Sequence, residues 1–348
     1  MKHGAVVSQF EREFAAYVGA RFALAASNGT VTLQAALVAL GVTDGMRVGV
    51  PPLTMSATTI AALNVGAGVA FCDVDPRTWL CDWQAVRGAP AVTIGVSLYG
   101  LHWRAPEGHL AIDDAAQTLR PHNSGAAFTS YSLQRSKILN TGEGGMLVTD
   151  DESLAEAARS YLSLGYAMRA DQARIDSAVI KASDYVRHVR YPAVNGRMND
   201  VTAALGLTQL AQADALLAQR RESWARYRDV VDGCAWLTPQ FVPEGWTHDG
   251  WAFAVACDTP ERAKALQAAV VAEGGEMPYG CWQLTYREPA FAYLNDSTQG
   301  PFQTPGMKHT LCPIAEDLQP RLLQFATNDR ISADRNARAL ARAIEQLS

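Results

Sequence analysis

The chain has 348 residues, 48% of them hydrophobic and 19% charged, with a formal net charge of −5 at pH 7. That length suits about two domains with a sizeable core, and the apolar content excludes wholesale disorder. Scattered basic residues argue against a nucleic-acid partner. With no apolar run of ~18 residues and no apolar leader core, we expect a soluble, cytoplasmic protein without a membrane span.

In chain order, apolar runs alternate with helical stretches. Residues 22–26 read as a strand, followed by the turn Ser27-Asn28-Gly29-Thr30 and a helix over residues 31–40. Residues 47–50 are a second strand, turned by Pro51-Pro52, with a helix over about residues 54–64, and residues 68–73 are a third strand. Further strands are expected at residues 91–98, 109–113, 126–132 and 146–149. The alternation predicts a mainly parallel sheet covered on both faces, with ligands at the carboxyl ends of its strands. A helix over residues 151–164 precedes a polar, Arg-rich stretch to Val194 that includes a basic patch at Arg187–Arg190. A long helix capped by Asn199 then runs toward Val231, with room for a break. The remainder reads as a smaller α+β unit. In it Thr259 caps a helix opened by Pro260, and residues 332–346 form the terminal helix.

Three places at strand ends are equipped for chemistry. In Ser27-Asn28-Gly29-Thr30 a strand ends, a glycine turn follows and a helix begins; such an N-terminus either binds phosphate or is simply capped. In Ile112-Asp113-Asp114-Ala115-Ala116-Gln117 a strand ends in two carboxylates. They either pair a protonated heterocyclic nitrogen or cap a helix. The third place concerns lysine. The chain has only Lys2, Lys137, Lys181, Lys264 and Lys308, and of these Lys137 alone sits beside a predicted sheet strand. It lies five residues past Ser132 and shortly before the loop Gly142-Glu143-Gly144-Gly145. A buried lysine amine is a nucleophile for a Schiff base. A phosphate cradle, an acid and a lysine together are the equipment for pyridoxal phosphate (PLP). The six cysteines form no CxxC and the histidines no HExxH, so reduced thiols are expected and metal ligation has little support.

These motifs resemble the DegT/DnrJ/EryC1/StrS family of PLP-dependent sugar aminotransferases. The resemblance runs from Phe10-Glu11-Arg12-Glu13-Phe14-Ala15 through Ser27–Thr30, Val50-Pro51-Pro52-Leu53-Thr54-Met55 and Asp113–Gln117. It continues through Ser132 and Lys137, Gly142–Gly145, Asn195-Gly196-Arg197-Met198-Asn199-Asp200 and Cys312-Pro313-Ile314-Ala315-Glu316. It implies the type I aminotransferase fold. That fold is a mostly parallel seven-stranded sheet with helices on both faces, in a large PLP-binding domain over residues 1–215, plus a small C-terminal α+β domain over 216–348. By position it makes Lys137 the Schiff-base lysine and Asp114 the partner of the pyridine nitrogen, with Gln117 beside the ring. Asn28, Gly29, Thr30 and Ser132 match phosphate-side positions. Met55 stands where the family usually has an aromatic residue on the ring. Asn195 matches an asparagine that reaches the phosphate of a neighbouring subunit, which implies a homodimer. The implied activity moves an amino group from glutamate or glutamine to a keto acceptor, by analogy a nucleotide-linked keto-sugar. Arg187–Arg190 and Arg197 would meet anionic substrate groups or lie solvated. The rival chemistry on the same cofactor is decarboxylation, dehydration or another Cα reaction.

Overall fold

Runs such as Val92-Thr93-Ile94-Gly95-Val96 and Gly145-Met146-Leu147-Val148-Thr149 carry side chains that are buried on both faces, which is the pattern of central strands. The computed structural model describes residues 4–86, 88–119, 121–166, 191–291 and 312–348. Its first part comprises α1 (Ala5–Val18), β1 (Phe22–Ala26), α2 (Gly29–Ala39), β2 (Arg47–Val50), α3 (Ala57–Asn64) and β3 (Gly68–Phe71). These are followed by β4 (Val92–Val96), β5 (Ala111–Asp114), β6 (Phe128–Ser132), β7 (Gly145–Thr149) and α4 (Glu152–Leu162). The seven strands form one sheet in the order β1-β7-β6-β5-β4-β2-β3. Pairings β2–β3, β2–β4, β4–β5 and β5–β6 are parallel, while β7 runs antiparallel to both β1 and β6. The sheet is therefore mainly parallel, as expected, and its carboxyl edge gathers the ends of β4, β5 and β6.

Local chemistry sets most boundaries. Asn28 and Asp151 accept hydrogen bonds from the first-turn amides of α2 and α4, just past the ends of β1 and β7. The helix expected from residue 54 starts at Ala57. The Met55 carbonyl accepts from both the amide and the hydroxyl of Thr58, so Thr54–Ser56 form a turn that the apolar pattern does not reveal. Between β4 and β5 the chain is irregular, pinned by Trp103, whose amide donates to the Ser97 hydroxyl.

The second part comprises α5 (Asp200–Leu210), α6 (Ala213–Val231), β8 (Leu237–Pro239), β9 (Ala252–Cys257), α7 (Pro260–Ala272) and β10 (Tyr279–Gly280). The remaining elements are α8 (Pro313–Leu318), β11 (Leu322–Ala326) and α9 (Arg330–Leu347). The break in the long helix falls between α5 and α6, which meet at 61°. Strands β10-β11-β9-β8 form an antiparallel sheet, and Tyr227, Phe253, Phe325 and Leu340 are central to its core with α6, α7 and α9. Thr259 caps α7 with Pro260 in its first turn. No single helix among the described residues is long and apolar enough to cross a membrane. Of the cysteines, Cys72, Cys81, Cys257 and Cys312 are buried, Cys234 and Cys281 half-buried, and all are free thiols.

Candidate active site

The carboxyl edge of the first sheet opens into a cavity of about 480 Å³, within the usual range for small-ligand sites. Eight of the nine residues singled out from the sequence line it: Asn28, Gly29, Thr30, Met55, Asp114, Gln117, Ser132 and Lys137. Asn195 does not; it is exposed beside Arg197, whose buried Nη1 has no hydrogen-bond partner among the described residues. Lys264 is exposed on α7, while Lys2, Lys181, Lys308 and Arg187–Arg190 lie outside the described residues.

One end of the cavity is a cradle. The Asn28 side chain takes the Val31 amide at 2.8 Å, which leaves the N–H groups of Gly29 and Thr30 without intrahelical partners at the positive end of α2. Gly29 is required by contact: a Cβ there would lie 2.9 Å from the Cβ of Ser132. Ser132 ends β6, so its hydroxyl faces the same space. A phosphate fits this set of donors.

At the other end, Asp114 is buried at the end of β5. Its Oδ2 accepts from the Thr58 hydroxyl at 2.8 Å and its Oδ1 from the Ala116 amide at 3.2 Å. Burial pushes its pKa up, while Thr58, the Ala116 amide and Lys137 hold it down. A carboxylate so placed needs a positive partner, and a protonated ring nitrogen is one. Gln117 is oriented by the Tyr99 amide, which donates to its Oε1 at 2.5 Å. Tyr99 itself adopts a left-handed backbone, φ 60°, followed by Gly100 at 111°.

Lys137 follows β6, half-buried. Burial pulls its pKa down, Asp114 raises it and Arg220 lowers it further. The amine lies 5.2 Å from the centroid of the Trp251 ring, and that indole donates to the Ser136 carbonyl at 3.0 Å. Trp282 also lines the cavity, its ring 6.4 Å from those of both Trp251 and Tyr99 and close to parallel with each. Glu143 completes the mouth from the glycine loop. Cradle, acid and amine thus share one space, and the donor set fits PLP.

Trp251, Trp282, Thr58 and Arg220 carried no assignment in the sequence. The two tryptophans arrive from the second sheet's part of the chain and no local pattern marks them. Arg220 did leave a signal. Ala213, Leu217, Arg220, Tyr227 and Val231 are buried on one stripe of α6, so a guanidinium stands at an apolar position.

A family model described as the DegT/DnrJ/EryC1/StrS aminotransferase family matches residues 1–338. The chain belongs to that family. It is a PLP-dependent aminotransferase of the type I fold. It is 34% identical over 266 residues to the spore coat polysaccharide biosynthesis protein SpsC of Bacillus subtilis (strain 168), covering 71% of this chain and 67% of that protein. Over 237 residues it is 35% identical to GDP-perosamine synthase of Caulobacter vibrioides, covering 62% of this chain and 59% of that one. The match therefore spans about two thirds or less of these relatives' lengths. Among solved structures, the aminotransferase from Psychrobacter cryohalolentis superposes with a TM-score of 0.83 at 23% identity, over 99% of this chain and 92% of that one.

Proposed function

We propose that this member of the family moves an amino group from glutamate or glutamine to a cyclic keto acceptor, a nucleotide-linked keto-sugar. The observation that carries this reading is the convergence of Lys137, Asp114 and the Gly29/Thr30/Ser132 cradle on one cavity. When bound, PLP supplies the aldehyde carbon that takes up the amine and a ring that absorbs the electrons released at the donor's Cα. The chain's residues do the rest. Gly29, Thr30 and Ser132 anchor the phosphate. Asp114, held by Thr58 and the Ala116 amide, would keep the ring nitrogen protonated, and Gln117 and Met55 line the space that would take the ring. The thioether of Met55 would stand in for aromatic stacking, at about 0.3–1.5 kcal/mol. Lys137 Nζ would hold the cofactor until the donor's amine displaces it, and the freed amine would carry the proton from the donor's Cα to the acceptor side. The indoles of Trp251 and Trp282 offer flat faces to the C–H face of a sugar ring, in keeping with a relative named for GDP-perosamine.

We further propose a cofactor domain over residues 1–215, a smaller one over 216–348, and a homodimer in which Asn195 completes the partner's cradle. Incubating the holoprotein with glutamate is expected to release 2-oxoglutarate and to bleach the visible cofactor band, and Lys137→Ala is expected to abolish borohydride trapping of PLP on the chain. Carbon dioxide release without amine transfer would refute transamination.

A further inference from the structure

Arg220 is 7% exposed, on the buried stripe of α6. Its Nη2 donates to the Lys137 carbonyl at 3.2 Å, and its Nη1 to the Trp251 carbonyl at 3.1 Å and the Thr327 hydroxyl at 3.4 Å. Every acceptor is neutral, and among the described residues no carboxylate forms an ion pair with it. Burying an uncompensated charge costs several kcal/mol, and apolar side chains of similar volume usually fill such a place at least as well. Packing alone therefore does not explain a cation here. Its position does. The guanidinium ties the backbone of the reactive lysine to the start of β9, and to Thr327 just past β11, so one side chain joins the lysine loop to the second sheet.

We propose that Arg220 is a positioning residue for Lys137, clamping the lysine's backbone and setting a positive charge against the lysine loop. The inference rests on the PLP reading above. The amine attacks only when neutral. Facing it are the Asp114 carboxylate from β5 and the Trp251 ring, and both favour the ammonium form; Glu143 of the glycine loop lines the same cavity but is exposed. Burial and Arg220 act the other way. Arg220 is the charge that offsets Asp114, so the same carboxylate serves the ring nitrogen without trapping the lysine as a cation.

The test is the rate at which apoprotein captures PLP, followed from pH 6 to pH 10, with borohydride reduction and mass spectrometry locating the adduct. In Arg220→Met the rate profile is expected to move to higher pH by about one unit, a loss of about tenfold at pH 7. Arg220→Lys keeps the charge and is expected to hold the wild-type profile. An Arg220→Met protein with native melting and an unmoved profile overturns the inference. If Arg220→Met does not fold, the lysine variant decides: a profile displaced upward with the charge retained also overturns it. Failure of the wild-type chain to capture PLP at any pH removes the proposed function and this inference together. An unmoved Arg220→Met profile beside normal wild-type capture removes this inference alone.

Discussion

Side chains alternate across a strand, so the two adjacent carboxylates that end β5 face opposite ways. Asp114 meets the cavity. Asp113 turns away and accepts from the Ser97 hydroxyl at 2.8 Å. Burial pushes its pKa up to about 7, against the pull of Ser97 and His102. An unfolded aspartate releases its proton near pH ~4. Between about pH 4 and pH 7 the folded chain therefore keeps a proton that the unfolded chain has lost, and stability falls by up to about 1.4 kcal/mol per unit as pH rises. His248 works in the other direction. Burial pulls its pKa down to about 3, so the fold loses stability as pH drops below the histidine's ordinary range. The two slopes oppose each other in wild type. Asp113→Asn separates them, because the amide has no proton to lose. Its stability relative to wild type is expected to rise by roughly 3 kcal/mol from pH 5 to pH 8, read from urea unfolding at both. A pH-independent difference would mean that Asp113 titrates as an ordinary surface carboxylate.

At the scale of elements, the cradle depends on how closely α2 approaches the end of β6. Gly29 opens the helix against Ser132, and a Cβ there would sit 2.9 Å from the serine Cβ and 3.3 Å from its Cα. The strand cannot retreat, since β6 is hydrogen-bonded on both sides, to β5 and β7. Gly145, across the same junction, is closer still: a Cβ would lie 2.5 Å from the Asn28 carbonyl. Gly29→Ala is expected to lower stability by about 1–3 kcal/mol by pushing α2 outward, and to speed PLP loss on dialysis. Unchanged melting with unchanged retention would show that the cradle tolerates the displacement. This junction was legible in the sequence because everything that makes it is local: an apolar run, a capping asparagine, a glycine. Asp114 and Lys137 were legible for the same reason, each lying at or just beyond a strand's carboxyl end. Trp251 and Trp282 were not. They reach the cavity from more than 110 residues beyond Lys137, and no periodicity near them points to a partner that far away. The turn that delays α3 was hidden too, because Thr54–Ser56 fit an apolar helical pattern and only the Met55–Thr58 hydrogen bonds decide against it.

At the scale of the molecule, one expected site residue stands apart from the cavity, and its surroundings say what it lacks. Asn195 is exposed, on the stretch that leads into α5. The adjoining helix α5 turns Ala203, Gly206 and Leu210 inward, Gly206 against the Phe10 ring of α1. Its outer face repeats Val201, Leu205 and Thr208 at helical spacing, with Val201 83% and Leu205 44% exposed. An exposed apolar stripe next to the exposed Asn195 is the pattern of a surface that a partner covers, and stable dimers bury about 1,600 Å² in total. We therefore expect a dimer in solution, and monomers from the double variant Val201→Asp, Leu205→Asp. Both positions face solvent in the single chain, so the variant's own fold is expected to change by no more than about 0.5 kcal/mol. Its hold on PLP is expected to weaken, because each cradle would lose the Asn195 supplied by its partner. Sedimentation velocity and PLP retention read the two effects separately. A variant that stays dimeric moves the interface to another face of the molecule, and a monomeric variant that keeps its cofactor makes the cradle complete within one chain.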